Sequence, residues 1–127
     1  MKFILPFIAL SLTVISCDHN FSHERVVKNN TLDTLNVINP DFKDVTHILL
    51  PGEEKVIYEF ENLDSKQEKE PCMWLGDTLI IKSIHDSICI KATTIESNWL
   101  SVVGGTEKAR KQTCTFMVDS TDFEFGL

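Results

Sequence analysis

Apolar and polar residues alternate along most of this chain with a period of two, and no apolar period of 3.6 persists for more than a turn or two. Successive side chains of a strand point to opposite faces, so this alternation predicts half-buried β-strands. A first short run spans 25–28 around Val26 and Val27, and Asn29-Asn30-Thr31 supplies turn chemistry after it. A second run, 32–38, sets Leu35 and Val37 against Thr34, Asn36 and Ile38, and Pro40-Asp41 ends it. Runs 45–50 and 56–60 flank Pro51-Gly52-Glu53-Glu54. Proline presets φ and glycine accepts a positive φ, so the pair predicts a hairpin.

Beyond 60 the pattern changes. Residues 61–70 are strongly charged without apolar period, which predicts a solvent loop, and Pro71-Cys72-Met73-Trp74-Leu75-Gly76 follows as a compact apolar cluster. Runs 77–84 and 87–92 predict a second hairpin with His85-Asp86 at its tip. Run 99–103 begins at Trp99 and stops at Gly104-Gly105, 106–112 reads as a basic loop, and 113–119 sets Cys114, Phe116 and Val118 against Thr115, Met117 and Asp119. About seven or eight short strands separated by turn signals predict an all-β fold, an antiparallel, immunoglobulin-like β-sandwich over 25–127.

The N-terminal stretch follows a different rule. Lys2 precedes a mostly apolar segment over 3–15, of about the length of a signal-peptide h-region and short of the roughly 20 residues a membrane span needs. It closes on Val14-Ile15-Ser16-Cys17, and polar Asp18-His19-Asn20 follow at once. That arrangement resembles the lipobox of bacterial lipoproteins. The resemblance implies removal of residues 1–16, lipidation of Cys17 and a membrane attachment through acyl chains. Residues 17–24 then read as a tether. The tether, Val27-Lys28-Asn29-Asn30, Leu50-Pro51-Gly52-Glu53-Glu54 and the late strand running into Thr121-Asp122-Phe123 together resemble the small lipoproteins of Bacteroidetes. This implies a cell-envelope location, with the outer membrane favoured and its surface or periplasmic face left open. Asp18 matches in part the acidic surface-export signal of that group.

After loss of residues 1–16, about 111 residues remain, enough for one domain with one core. The whole chain carries a net charge of −7, and removal of Lys2 leaves 11 basic against 19 acidic residues, hence −8. That balance argues against nucleic acid and against charge-driven docking on anionic lipid. With Cys17 assigned to lipid, Cys72, Cys89 and Cys114 remain, and export makes one bridge plausible among three pairings. Cys89–Cys114 is the expected pair because both lie in strand runs. Three reduced thiols are the alternative.

Candidate chemistry is sparse. His19 and His23, four apart beside Asp18 and Glu24, have metal-ligand spacing but lie in the tether without helical support. His85-Asp86 reads as a turn, and Gly104-Gly105-Thr106 lacks the Gly-Lys-Ser/Thr of a phosphate loop. No nucleophile elbow is present, so no catalysis, cofactor or metal is expected. Trp74, in its loop-like cluster, is the binding candidate, either stacking on a sugar or anchoring a partner, or else plugging one end of the sandwich. Trp99 reads as core. Lys108, Arg110 and Lys111 form a basic patch that reads as a solvated face. The expectation is a lipid-anchored, noncatalytic envelope module binding a protein or a glycan. The alternative is a structural or assembly accessory of an envelope complex.

Overall fold

The structure, a computed structural model, describes residues 20–42, 45–62, 70–106 and 108–127. The apolar leader, Cys17, His19 and most of the charged loop (63–69) lie outside the described residues. Among the described residues, seven strands form two packed sheets: β1 (Asn20–Asn29), β2 (Leu35–Asn39), β3 (Val45–Leu49), β4 (Glu54–Asn62), β5 (Ile80–Ser83), β6 (Trp99–Thr106) and β7 (Ala109–Val118). One sheet has the order β4-β1-β7-β6 and the other β3-β2-β5. The fold is an all-β sandwich, four strands on three as in immunoglobulin constant domains, with its own strand order. Between the sheets lie Val27, Leu35, Val37, Leu49, Ile81, Phe116 and Val118, all almost fully buried, closed at one side by Trp99 and Phe123.

Five features depart from the reading of the sequence. Residues 20–24, expected to belong to a tether, are strand: β1 begins at Asn20 and buries Phe21 and His23. The inward positions of β1 are Phe21, His23, Arg25, Val27 and Asn29, three of them polar, so alternation of apolar character could not mark them. The sheets are not wholly antiparallel, since β1 pairs with β7 in parallel over its full length.

The Pro51-Gly52 turn does not close a hairpin. β3 pairs with β2 and β4 with β1, so this turn carries the chain from one sheet to the other. Its anchor is Asn29. The Asn29 N–H donates to Glu53 O (2.9 Å) and its carbonyl accepts from Gly52 N–H (2.8 Å), while its side-chain amide donates to Asp33 O and Leu49 O. Its side-chain oxygen accepts from the Thr31 N–H and hydroxyl. One buried asparagine thus ties the end of β1 to both sheets, satisfying groups that would otherwise be orphaned in the core.

The basic stretch 106–112 is not a loop. β6 and β7 form a hairpin that extends through it, with Thr106 opposite Ala109. Much of the distal ribbon is exposed, so the sequence there is free of apolar alternation although the ladder is intact. Gly105 takes φ +92°, and a Cβ there would overlap the Ala109 carbonyl, which is why glycine stands at this point. The second expected hairpin is reduced to β5 and the isolated bridge Lys82–Ile88 around the His85-Asp86 turn, where Asp86 has φ 64°.

Candidate functional site

The parallel pairing of β1 with β7 places His23 beside Gln112 and Arg25 beside Cys114. All four side chains are buried, with Arg25 2% exposed. Together they hold the segment 70–74 as a strap across this part of the sandwich. The Gln112 side chain behaves like a strand neighbour of Glu70, donating to its carbonyl (2.8 Å) and accepting from its N–H (3.1 Å). Cys72 is joined to Cys114 by a disulfide. The Arg25 guanidinium donates to Pro71 O and to Met73 O, and to the Cys114 sulfur. Trp74 N–H then donates to Thr93 O (2.9 Å).

The expected Cys89–Cys114 bridge is therefore corrected. Cys114 faces inward on β7, and the strap brings Cys72 onto it, with the two Cα atoms 5.5 Å apart. Cys89 pairs across the other side of the fold with Phe123 and is a free, half-buried thiol. Burial pushes the Cys89 thiol pKa up, which keeps it protonated and poorly reactive.

Aromatic rings run continuously from this strap. His23 is stacked between Phe21 and Phe60, each at 4.6 Å, and Tyr58 contacts Phe60, Phe42 and Trp74 at 5.7, 6.2 and 5.9 Å. A bulge in β4 makes this possible. The register slips between Arg25 and Val26, so Ile57 packs on the core while Tyr58 lies opposite Arg25 and Phe60 opposite His23. The Arg25 guanidinium carbon sits 5.5 Å from the Phe60 ring centre, within cation–π range.

Between these rings opens a cavity of about 260 Å³, lined chiefly by Arg25, Asp41, Phe42, Tyr58, Phe60 and Trp74. Asp41 reaches it from the turn after β2 and accepts a hydrogen bond from the Asp77 N–H (3.1 Å). No ion pair to Arg25 occurs among the described residues. Its pKa is lowered by burial, against opposing pulls from Glu70 and Tyr58. Two buried polar side-chain atoms have no hydrogen-bond partner among the described residues, Trp74 Nε1 and His23 Nε2.

Trp74, the binding candidate from sequence, is thus mostly a plug, 7% exposed, that still presents one edge to a cavity. The other candidates are not brought to it. Trp99 lies in the core with its Nε1–H donated to Thr93 O. His85-Asp86 is a turn whose backbone is held by Ser83 Oγ. Lys111 is paired with Glu24 at 3.0 Å, so the basic patch is partly neutralised. His23 is no tether residue, and no group of three metal-ligating side chains occurs among the described residues. Arg25, Asp41 and Tyr58 went unremarked as site residues in the sequence. The one visible signal was Arg25 at an inward position of a strand, and only the register of β1 reveals that position as inward.

His23 supplies a pH prediction. Its pKa is lowered from the ordinary 6.5, chiefly by burial and also by Arg25, while the Gln112 hydrogen bond and Glu70 pull the other way. The folded state therefore binds the proton less readily than the unfolded chain. Its contribution to stability is complete above about pH 6.5 and is lost as pH falls through the lower folded value. Urea unfolding at a series of pH values should show this acid loss in the wild type. A His23→Gln variant should show a flatter profile below about pH 6.5.

A comparison with protein-family models, with curated proteins and with solved structures finds no match to this chain. No helix among the described residues is long and apolar enough to cross a membrane.

Proposed function

We propose that this chain is a lipid-anchored, noncatalytic binding module of the bacterial envelope, held to the membrane through Cys17 and capturing a protein or a glycan at the Trp74 cavity. The observation that carries the binding half is the chemistry of that cavity. Aromatic rings line it together with a buried arginine that has no carboxylate partner among the described residues. A buried indole N–H at its wall has no acceptor among the described residues. A buried donor left unpaired costs about 1–3 kcal/mol, which a ligand group returns on binding. A few polar groups among aromatic walls are also the usual composition of a binding cavity. The anchor half rests on the lipobox-like residues. Several acyl chains, at about 0.8 kcal/mol per buried CH₂, suffice for stable attachment without a spanning helix.

Photo-crosslinking in intact cells tests the binding half. A diazirine amino acid at Leu75, exposed beside the cavity, should form adducts with a neighbouring protein or glycan, and one at Leu32, exposed but not lining the cavity, should not. Equal adducts at both positions, or none at Leu75, would remove the cavity from the function. For the anchor, Cys17→Ser should abolish palmitate labelling. Persistent labelling of that variant would defeat the assignment.

A further inference from the structure

We infer that the cavity takes the neutral ring of a hexose. This deepens the binding-module reading and rests on it. Among the described residues lining the cavity, Arg25 contributes one positive and Asp41 one negative charge. A ligand with a net charge would face one attractive and one repulsive partner in a small space, whereas an uncharged ligand faces neither penalty.

The polar groups narrow the choice further. Trp74 Nε1–H is a donor with no acceptor among the described residues. Arg25 has five N–H groups, and its recorded hydrogen bonds to Met73, Pro71 and Cys114 engage three of them. The Asp41 carboxylate accepts from Asp77 N–H, and a carboxylate has about four acceptor sites, so it retains capacity. The complement must donate and accept through uncharged groups at short spacing. Hydroxyls do both. Gly76 sets the geometry, because a Cβ there would overlap Asp41 Oδ2 and come within 3.4 Å of Trp74 Nε1. Donor and acceptor thus lie beside the same glycine without bonding each other, and both residues line the cavity.

The walls and the volume agree. Phe42 and Tyr58, about half exposed, offer ring surface at the mouth, against which the C–H face of a pyranose can lie. The volume of about 260 Å³ is just under the roughly 300 Å³ at which drug-sized sites begin, which suits one ring.

The two indoles of the chain make the test internal. Full-length protein labelled with ¹⁵N and held in detergent micelles is titrated with glucose, galactose, mannose and N-acetylglucosamine. Each is taken to about 50 mM, enough to saturate a site with a Kd of a few millimolar. The expected result is movement of the Trp74 indole resonance with at least one sugar. The Trp99 resonance, already bonded to Thr93 O, should stay in place. Tyr58→Ala should weaken that binding about tenfold, and Tyr58→Phe should retain it because the ring is kept. The inference is overturned if no sugar moves the Trp74 resonance, if both indoles move together, or if Tyr58→Ala binds as well as the wild type. Movement with glycine or acetate and not with the sugars would also overturn it. Adducts at Leu75 alongside a silent sugar titration would reject the hexose and retain the binding module; failure of both would reject both.

Discussion

Replacing Cys72 and Cys114 together with alanine should destabilise the domain by about 4 kcal/mol, and Cys89→Ala should change it by less than about 1 kcal/mol. The bridge spans a sequence separation of 42, and a loop of that length corresponds to about 4 kcal/mol in the chain-entropy model. Both cysteines are buried, and Cys114 also accepts from Arg25, so the double variant loses buried packing and that acceptor as well. Cys89 is free and only partly buried, so truncating it removes a small amount of packing. Thermal unfolding measures the difference. About 4–8 °C per kcal/mol for a small domain predicts a fall of at least about 15 °C for the double variant. A comparable fall for Cys89→Ala, with none for the double variant, would show that the bridge is misassigned. The strap should also loosen, which faster amide exchange at Cys72–Trp74 would report.

The second large effect is expected at Arg25. Its buried side chain brings the guanidinium against the Phe60 ring and onto the carbonyls of Pro71 and Met73. Arg25→Ala opens a cavity and orphans those acceptors, with an expected loss of about 3–4 kcal/mol. Arg25→Met keeps much of the volume and removes the buried charge along with its desolvation cost, so its loss should be about half as large. Urea unfolding of the two variants separates packing from charge. If Arg25→Met proves as damaging as Arg25→Ala, the hydrogen bonds to the strap dominate. If both are within about 0.5 kcal/mol of the wild type, Arg25 does not hold the strap at all. Arg25→Lys should not rescue either role, since one ammonium lacks the planar fork that reaches three acceptors at once.

Where alternation coincides with burial, the strands were legible. Leu35 and Val37 in β2, and Cys114, Phe116 and Val118 in β7, face the core as their spacing requires. Where the inward face is polar, the pattern failed. β1 buries His23, Arg25 and Asn29, and its first residues therefore read as a solvated tether. The Pro51-Gly52 turn was legible as a turn and misleading as a hairpin. Turn chemistry states that the chain reverses and says nothing about which sheet receives it. Here the backbone of Asn29 captures the turn and separates β3 from β4.

The same division applies to the cavity. Trp74 stood out because tryptophan is rare and sat in an apolar cluster. Its neighbours did not, because Arg25, Asp41 and Tyr58 come from three separate parts of the chain. By itself the sequence determined the strand-rich class, most strand positions and the turn residues, because a period of two, proline and glycine act within a few residues. Only the tertiary structure decided the parallel pairing of β1 with β7, the partner of Cys114 and the convergence of Arg25, Asp41, Tyr58 and Trp74. Those depend on register between distant segments. A shift of one residue reverses the face of every side chain, and no local pattern carries that choice when the inward residues are polar.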